Sequence, residues 1–265
     1  MSTPIQQLLD IMAKLRDPKD GCPWDLKQSF DTIVPHTIEE TYEVVDAIHN
    51  QDWSNLKEEL GDLLFQVIFY SQLAKEEGLF DFQEVVEQVN EKLVRRHPHV
   101  FSEQEFESEQ EVSENWEREK AKEKARMGKV EESILDSVPK SLPALSRADK
   151  IQKRCAKFGF DWDSLGPVVD KVHEEVQEVV DEALAVPVKQ EKVEEEMGDL
   201  LFATVNLARH LGCNPESALS KANVKFERRF RGVEQKVAQN GRELAECDID
   251  YLDNLWNQVK NEESN

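Results

Sequence analysis

The sequence predicts an all-α fold made of two tandem copies of one helical-bundle domain. Apolar residues recur at three- and four-residue spacing along the long segments, and no stretch sustains the apolar/polar alternation of a strand. A set of polar motifs also appears twice in one order: Trp-Asp, EExxE, EExxD, Asn-x-Lys-x-x-Arg-Arg, Trp. Chance likeness between helices would not keep so many polar types in order, so the chain reads as an internal duplication. The boundaries expected are a helical domain over 1–127, a linker over 128–143 and a second helical domain over 144–265.

Each element follows from local chemistry. Ile5, Leu8, Leu9, Met12 and Leu15 share one face of an opening amphipathic helix. Pro35 and Thr37 open the helix carrying EETYE at 39–43, and Thr37 with Glu40 fits a capping box. Over 54–77 Leu56, Leu60, Leu63, Leu64, Val67, Ile68 and Leu73 keep helical spacing around EELGD. Asp81 starts a helix that ends in Arg95 and Arg96, with His97-Pro98-His99 as a helix terminus rather than a ligand pair. The charge-rich stretch 102–135 holds a helix bearing Trp116, with 103–111 as solvated surface. A flexible connector follows around Gly128 to Ser141, and SVPKSLPAL reads as an extended joint. In the second copy Gly166-Pro167 opens the helix carrying EEVQE at 174–178, and 192–211 repeats the apolar pattern around EEMGD. Pro215 starts a helix ending in the basic cluster ANVKFERRF, and Trp256 closes the unit.

Composition narrows the function. No run approaches the roughly 18–20 apolar residues of a membrane span, and the start lacks the basic-then-apolar pattern of a signal peptide. Cys22, Cys155, Cys213 and Cys247 are widely spaced, which favours reduced thiols and a cytoplasmic location. A net charge of -22 argues against a nucleic-acid polymer as main partner, because binding along many phosphates needs a basic surface.

The acids carry the chemistry. Glu40 with Glu43 and Glu175 with Glu178 are i, i+3 pairs on one helix face, as are Glu59 with Asp62 and Glu196 with Asp199. Within each half the two pairs stand 19 or 21 residues apart, so an antiparallel helix hairpin could bring them together. Four convergent carboxylates repel one another unless hard cations sit among them. All-oxygen ligation with no Glu-x-x-His motif suits Mg²⁺ or Mn²⁺ rather than iron. Gly61 and Gly198, inside helices beside the acids, suggest close approach of backbone or ligand. Lys225 and Arg228 share a face, and with Arg229 and Lys192 they can grip phosphate oxygens. An anion bridging such cations to the metals is what a nucleoside triphosphate offers, with Trp256 either in the core or stacked on base or ribose.

Taken together, CPWD at 22–25, EETYE, EELGDLLFQV, RRHPHVF at 95–101, KIQKRCAKFGFDW, EEMGDLLFATVNLARH and KFERRF resemble the MazG nucleoside triphosphate pyrophosphohydrolases of the two-domain bacterial type. The resemblance covers nearly the whole chain. It implies helical units assembled as homodimers and Mg²⁺-dependent cleavage of nucleoside triphosphates to monophosphate and pyrophosphate. It places metal ligands on Glu175, Glu178, Glu196 and Asp199, with Glu40, Glu43, Glu59 and Asp62 as counterparts in the first copy. Nucleotide contacts fall on Lys171 to Glu175, Lys192 to Glu195, Asp199, Lys225, Phe226, Glu227, Arg228, Arg229 and Trp256. In the first copy Asn55 replaces Lys192 and His97-Pro98-His99 replaces Phe230-Arg231-Gly232, which makes the second domain the main catalytic one. Glu174 or Glu195 is then expected to orient or deprotonate the attacking water, and Lys225, Arg228 and Arg229 to stabilise the departing charge. The rival readings are a nucleotide- or alarmone-binding regulator with little hydrolysis, a helical scaffold, and a polymer nuclease.

Overall fold

The computed structural model describes residues 2–102, 104–126 and 133–263, and among them there are helices and turns but no strand. The chain divides into two compact units, Met1–Lys129 and Val130–Asn265. The first contains α1 (Pro4–Leu15), α2 (Phe30–His49), α3 (Trp53–Glu76), α4 (Phe82–Arg96), α5 (Pro98–Phe101) and α6 (Glu109–Arg126). The second contains α7 (Ala144–Ala156), α8 (Leu165–Leu184), α9 (Gln190–His210), α10 (Pro215–Gln239) and α11 (Ile249–Glu263). Of the expected linker, 128–132 lie outside the described residues, and 133–143 run as turns rather than an extended joint, with Val138 buried.

In each unit the dominant packing is a helix hairpin, α2 on α3 and α8 on α9. The links of 50–52 and 185–189 are too short for anything but antiparallel neighbours. The first core gathers Met12, Ile33, Ile68, Phe69 and Leu73, all at most 4% exposed. In the second unit Val233 and Val237 of α10 lock against Leu255 and Val259 of α11, with Trp256 alongside.

Three local expectations need correction. The helix carrying EETYE begins at Phe30, not near Thr37, because Ser29 caps it: Ser29 Oγ accepts from the Thr32 amide and Thr32 Oγ1 accepts from the Ser29 amide at 2.8 Å. Thr37 is mid-helix; its hydroxyl hydrogen-bonds Tyr70 Oη at 2.9 Å, so Glu40 has no capping duty. The helix begun at Pro215 does not end at its basic cluster either. Its apolar stripe continues through Val233 and Val237, whereas in the first unit Pro98 stops the equivalent helix, since a proline cannot supply the next amide. Finally, of the backbone or ligand approach expected at Gly61 and Gly198 the backbone alternative fails, since a Cβ at either would meet nothing within 4 Å. Close approach falls instead at Gly21, where a Cβ would stand 2.5 Å from the Asp17 and Leu15 carbonyl oxygens, and at Gly232, where it would stand 3.0 Å from Val259 Cγ1.

Several apolar side chains stay exposed on the hairpins: Tyr42, Leu60 and Leu64 in the first, Val176, Val180 and Leu201 in the second. Among the described residues no helix is long and apolar enough to cross a membrane.

Candidate active site

The α8–α9 hairpin brings its acids together. Glu175, Glu196 and Asp199 each offer an oxygen within 4.8 Å of the others. Glu175 is 4% exposed; its Oε1 meets Lys171, while its Oε2 is buried with no hydrogen-bond partner, which leaves one carboxylate oxygen unsatisfied. Of the predicted quartet Glu178 stands outside this tight group, yet it feels it: desolvation first, then the charge of Glu175, pushes its carboxyl up. In the first unit the group is Glu40, Glu43 and Glu59. Desolvation and then the charge of Asp62 push the Glu40 carboxyl up, which keeps Asp62 in the neighbourhood although outside the tight group. Desolvation followed by Glu43 does the same to Glu59.

Lysines sit beside the second group. Lys171 reaches Glu175 at 2.6 Å and Glu174 at 2.9 Å, and these two carboxylates hold its ammonium above the ordinary lysine range. Lys192 pairs with Glu195. Both candidate bases, Glu174 and Glu195, are therefore exposed carboxylates with a lysine on them.

A cavity of about 590 Å³ opens beside the acids, within the usual range for small-molecule sites. Glu175, Asp199 and Lys171 line it together with Gln152, Trp162 and Asn206. Sequence reasoning missed Gln152 and Asn206 as functional groups. The signal was present as polar residues on faces of α7 and α9 that otherwise pack inward. Behind Asn206, Arg209 bonds both its side-chain oxygen and the Asp161 carboxylate. Arg209 first, with help from His210, holds the Asp161 carboxyl at about 2.

The other predicted contacts cluster elsewhere in the unit. Arg228 Nε and Arg229 Nε donate to the two oxygens of Glu263 at 2.7 and 2.8 Å. The Arg229 guanidinium lies 5.9 Å from the Trp256 ring centroid, and Phe226 packs against that ring at 5.1 Å. Lys225 and Glu227 are exposed on the same helix. None of Lys225, Phe226, Arg228, Arg229 or Trp256 lines the cavity, so one chain does not bring the acidic and basic halves of the predicted site into one pocket.

Fold and site define a duplicated all-α protein in which each helix hairpin carries a carboxylate cluster, the second beside a ligand-sized cavity. Residues 28–101 and 167–233, spanning the two hairpins, match the model of the MazG nucleotide pyrophosphohydrolase domain. The chain belongs to the MazG family. It is 58% identical over 98% of both chains to the nucleoside triphosphate pyrophosphohydrolase of Escherichia coli K12. It is 42% identical to the nucleoside triphosphate pyrophosphohydrolase/pyrophosphatase MazG of Thermotoga maritima, over 96% of this chain and 95% of that one. Among solved structures, a mazG-related protein from Thermotoga maritima aligns at 31% identity and a TM-score of 0.38, covering 44% of this chain and 98% of that one.

Proposed function

We propose that the second unit hydrolyses nucleoside triphosphates to nucleoside monophosphate and pyrophosphate, with Mg²⁺ as its cation and Mn²⁺ able to replace it. The observation that carries this reading is the buried, unpartnered oxygen of Glu175 within a carboxylate group that borders the cavity. Glu175, Glu196 and Asp199, with Glu178 adjoining, fit a hard divalent cation by the chemistry of their oxygens. The chemistry supplied by a cation held there is neutralisation of phosphate charge and acidification of water.

The chain's own groups do the rest. Lys171 fixes the Glu175 carboxylate by a 2.6 Å ion pair and lends positive charge to the entrance of an acidic site. Glu174 or Glu195, each exposed beside the group, takes the proton of the attacking water while its lysine steadies it. Lys192, Lys225, Arg228 and Arg229 supply donors for phosphate oxygens and stabilise the leaving pyrophosphate. The protein is a homodimer in this reading, since the α2–α3 and α8–α9 hairpins leave apolar side chains such as Leu64 and Leu201 uncovered. Four free cysteines support a reducing cytoplasmic setting, and the net charge of -22 supports a small nucleotide rather than a polymer as partner.

Ion-exchange analysis of products from ATP, GTP, CTP, UTP and dNTPs, with Mg²⁺ or EDTA, tests the reaction. Metal-dependent monophosphate plus pyrophosphate is expected, lost in Glu175→Gln/Glu178→Gln and kept in Glu40→Gln/Glu43→Gln. Diphosphate plus phosphate would place the cleavage wrongly. Nucleotide binding without turnover would make the protein a regulator.

A further inference from the structure

We infer that the cavity beside Glu175 and Asp199 seats the nucleobase, and that the side-chain amides of Gln152 and Asn206 read its hydrogen-bonding edge. This rests on the nucleotide-hydrolysing reading above and adds to it the part of the substrate that is recognised and the two residues that recognise it.

The two amides are buried, Gln152 at 8% and Asn206 at 7% exposure, and both line the cavity. Their orientations are forced by their neighbours. Gln152 Nε2 donates to the Phe202 carbonyl at 2.8 Å; a carbonyl can only accept, so the amide nitrogen must face it. That leaves Gln152 Oε1 buried and without a hydrogen-bond partner. Asn206 is fixed in the opposite sense. Its Oδ1 accepts from Arg209 Nε at 3.0 Å and Arg209 Nη2 at 2.7 Å, and a guanidinium can only donate. Asn206 Nδ2 therefore makes no hydrogen bond among the described residues. Asp161 anchors Arg209 in turn, so turning the Asn206 amide over would break a charged network.

Beside the charged groups that also line it, Asp161, Lys171, Glu175, Asp199 and Arg209, the cavity presents one fixed acceptor and one fixed donor next to apolar wall that includes Val168 and Ala203. A planar heterocycle carrying an N–H beside a carbonyl or ring nitrogen satisfies both. Trp162, on the same wall and 43% exposed, offers a face for stacking.

The first unit is an internal control. Glu59 to Glu196 and Asp62 to Asp199 are both 137 residues apart, and the same offset places Phe69 at the position of Asn206. The opening helix α1 buries Met12, where the opening helix of the second unit, α7, buries Asp149 and Gln152. Phe69 and Met12, at 1% and 0% exposure, form an apolar core there with Ile33 and Ile68. The same fold, with the same acids, is thus built without amides at these two positions, although α3 buries one amide elsewhere, Gln66, at the position of Ala203. The helix packing and carboxylate group of the first unit do without these two amides, and a polar planar ligand in the cavity gives them a use.

The test is kcat/KM over a panel of the eight common NTPs and dNTPs, alongside the inhibition constant of inorganic tripolyphosphate, which reads the phosphate half alone. Asn206→Asp keeps the size and the Arg209 pair but turns the Nδ2 donor into an acceptor. It is expected to lower kcat/KM for the best base by about 10- to 100-fold and to change the order of preference. Gln152→Met, which puts on α7 the apolar type that α1 buries, should narrow the spread between bases, with melting temperature as the check on folding. The tripolyphosphate constant should stay within about twofold in both. An unchanged base ranking in both variants overturns the inference, as does a loss shared equally by all nucleotides and tripolyphosphate. If the unmodified protein makes no monophosphate and pyrophosphate, the reaction is wrong; monophosphate binding followed by Trp162 fluorescence then judges the cavity separately, and binding insensitive to both variants sinks it.

Discussion

Glu123 and Glu263 are counterparts: each stands seven residues after a tryptophan, Trp116 or Trp256, and each closes on two consecutive arginines, Arg95–Arg96 or Arg228–Arg229. The duplication has kept a contact as well as a pattern. In both units a carboxylate occupies the fork that, for Arg228 and Arg229, the proposed reaction assigns to phosphate.

Glu263 should therefore compete with substrate. Removing it in Glu263→Ala is expected to tighten inhibition by inorganic tripolyphosphate by about three- to tenfold, the scale of one partly exposed charged contact. An inhibition constant that is unchanged or weaker would show that the arginine pair does not meet phosphate.

Cation binding should register as stability. With EDTA as reference, saturating Mg²⁺ is expected to raise the melting temperature by several degrees, as mass action on the folded state requires. Glu175→Gln or Asp199→Asn should shrink that rise and abolish turnover while leaving the metal-free melting temperature nearly unchanged. Because the Glu40, Glu59 and Glu178 carboxyls are pushed up in the folded protein, protons compete with cations there. Their desolvation and then mutual repulsion weaken the fold at high pH and are relieved as pH falls, so the Mg²⁺-induced rise should be larger at pH 8 than at pH 5.

Acid should act in the opposite sense through Asp161. Its carboxyl sits at about 2 in the folded chain, against about 3.9 when unfolded. Its contribution is present above the unfolded value and disappears as pH falls through the folded one. Urea melts of the unmodified protein and Asp161→Asn should differ by about 1 kcal/mol near pH 6, allowing for the residue's partial exposure, and converge near pH 2. A difference independent of pH would mean the ion pair with Arg209 is not its source.

Phe69 should behave as core. Truncation in Phe69→Ala is expected to cost about 3–5 kcal/mol by chemical denaturation, as for other fully buried aromatics. A cost below about 1 kcal/mol would mean that the first unit tolerates an open space there, which the comparison between units does not allow.

Much of this was legible in the sequence because it depends on spacing. The hairpin helices and the acids of each cluster follow from a period of 3.6 and from residue type. Signals with two readings misled: Thr37 and Glu40 imitate a capping box that Ser29 and Thr32 supply, and the basic run at 225–229 imitates a helix end that Val233 and Val237 carry past. Features made by packing between distant segments were not legible. The cavity depends on Ala203 and Asn206 being smaller than their counterparts Gln66 and Phe69, and on α7 lying against α9. The grip of Glu263 on Arg228 and Arg229 spans 35 and 34 residues, beyond any local pattern.

Gly232 gives that grip its geometry. With no side chain there, α11 can settle until Val259 touches the α10 backbone, only four residues before Glu263 on the same rod. A methyl group at Gly232 would act as a wedge under the hinge end of a lever, and its far end is the carboxylate that latches the arginines. The tightness of an ionic clasp at the surface is thus tuned by the absence of one carbon atom beneath it.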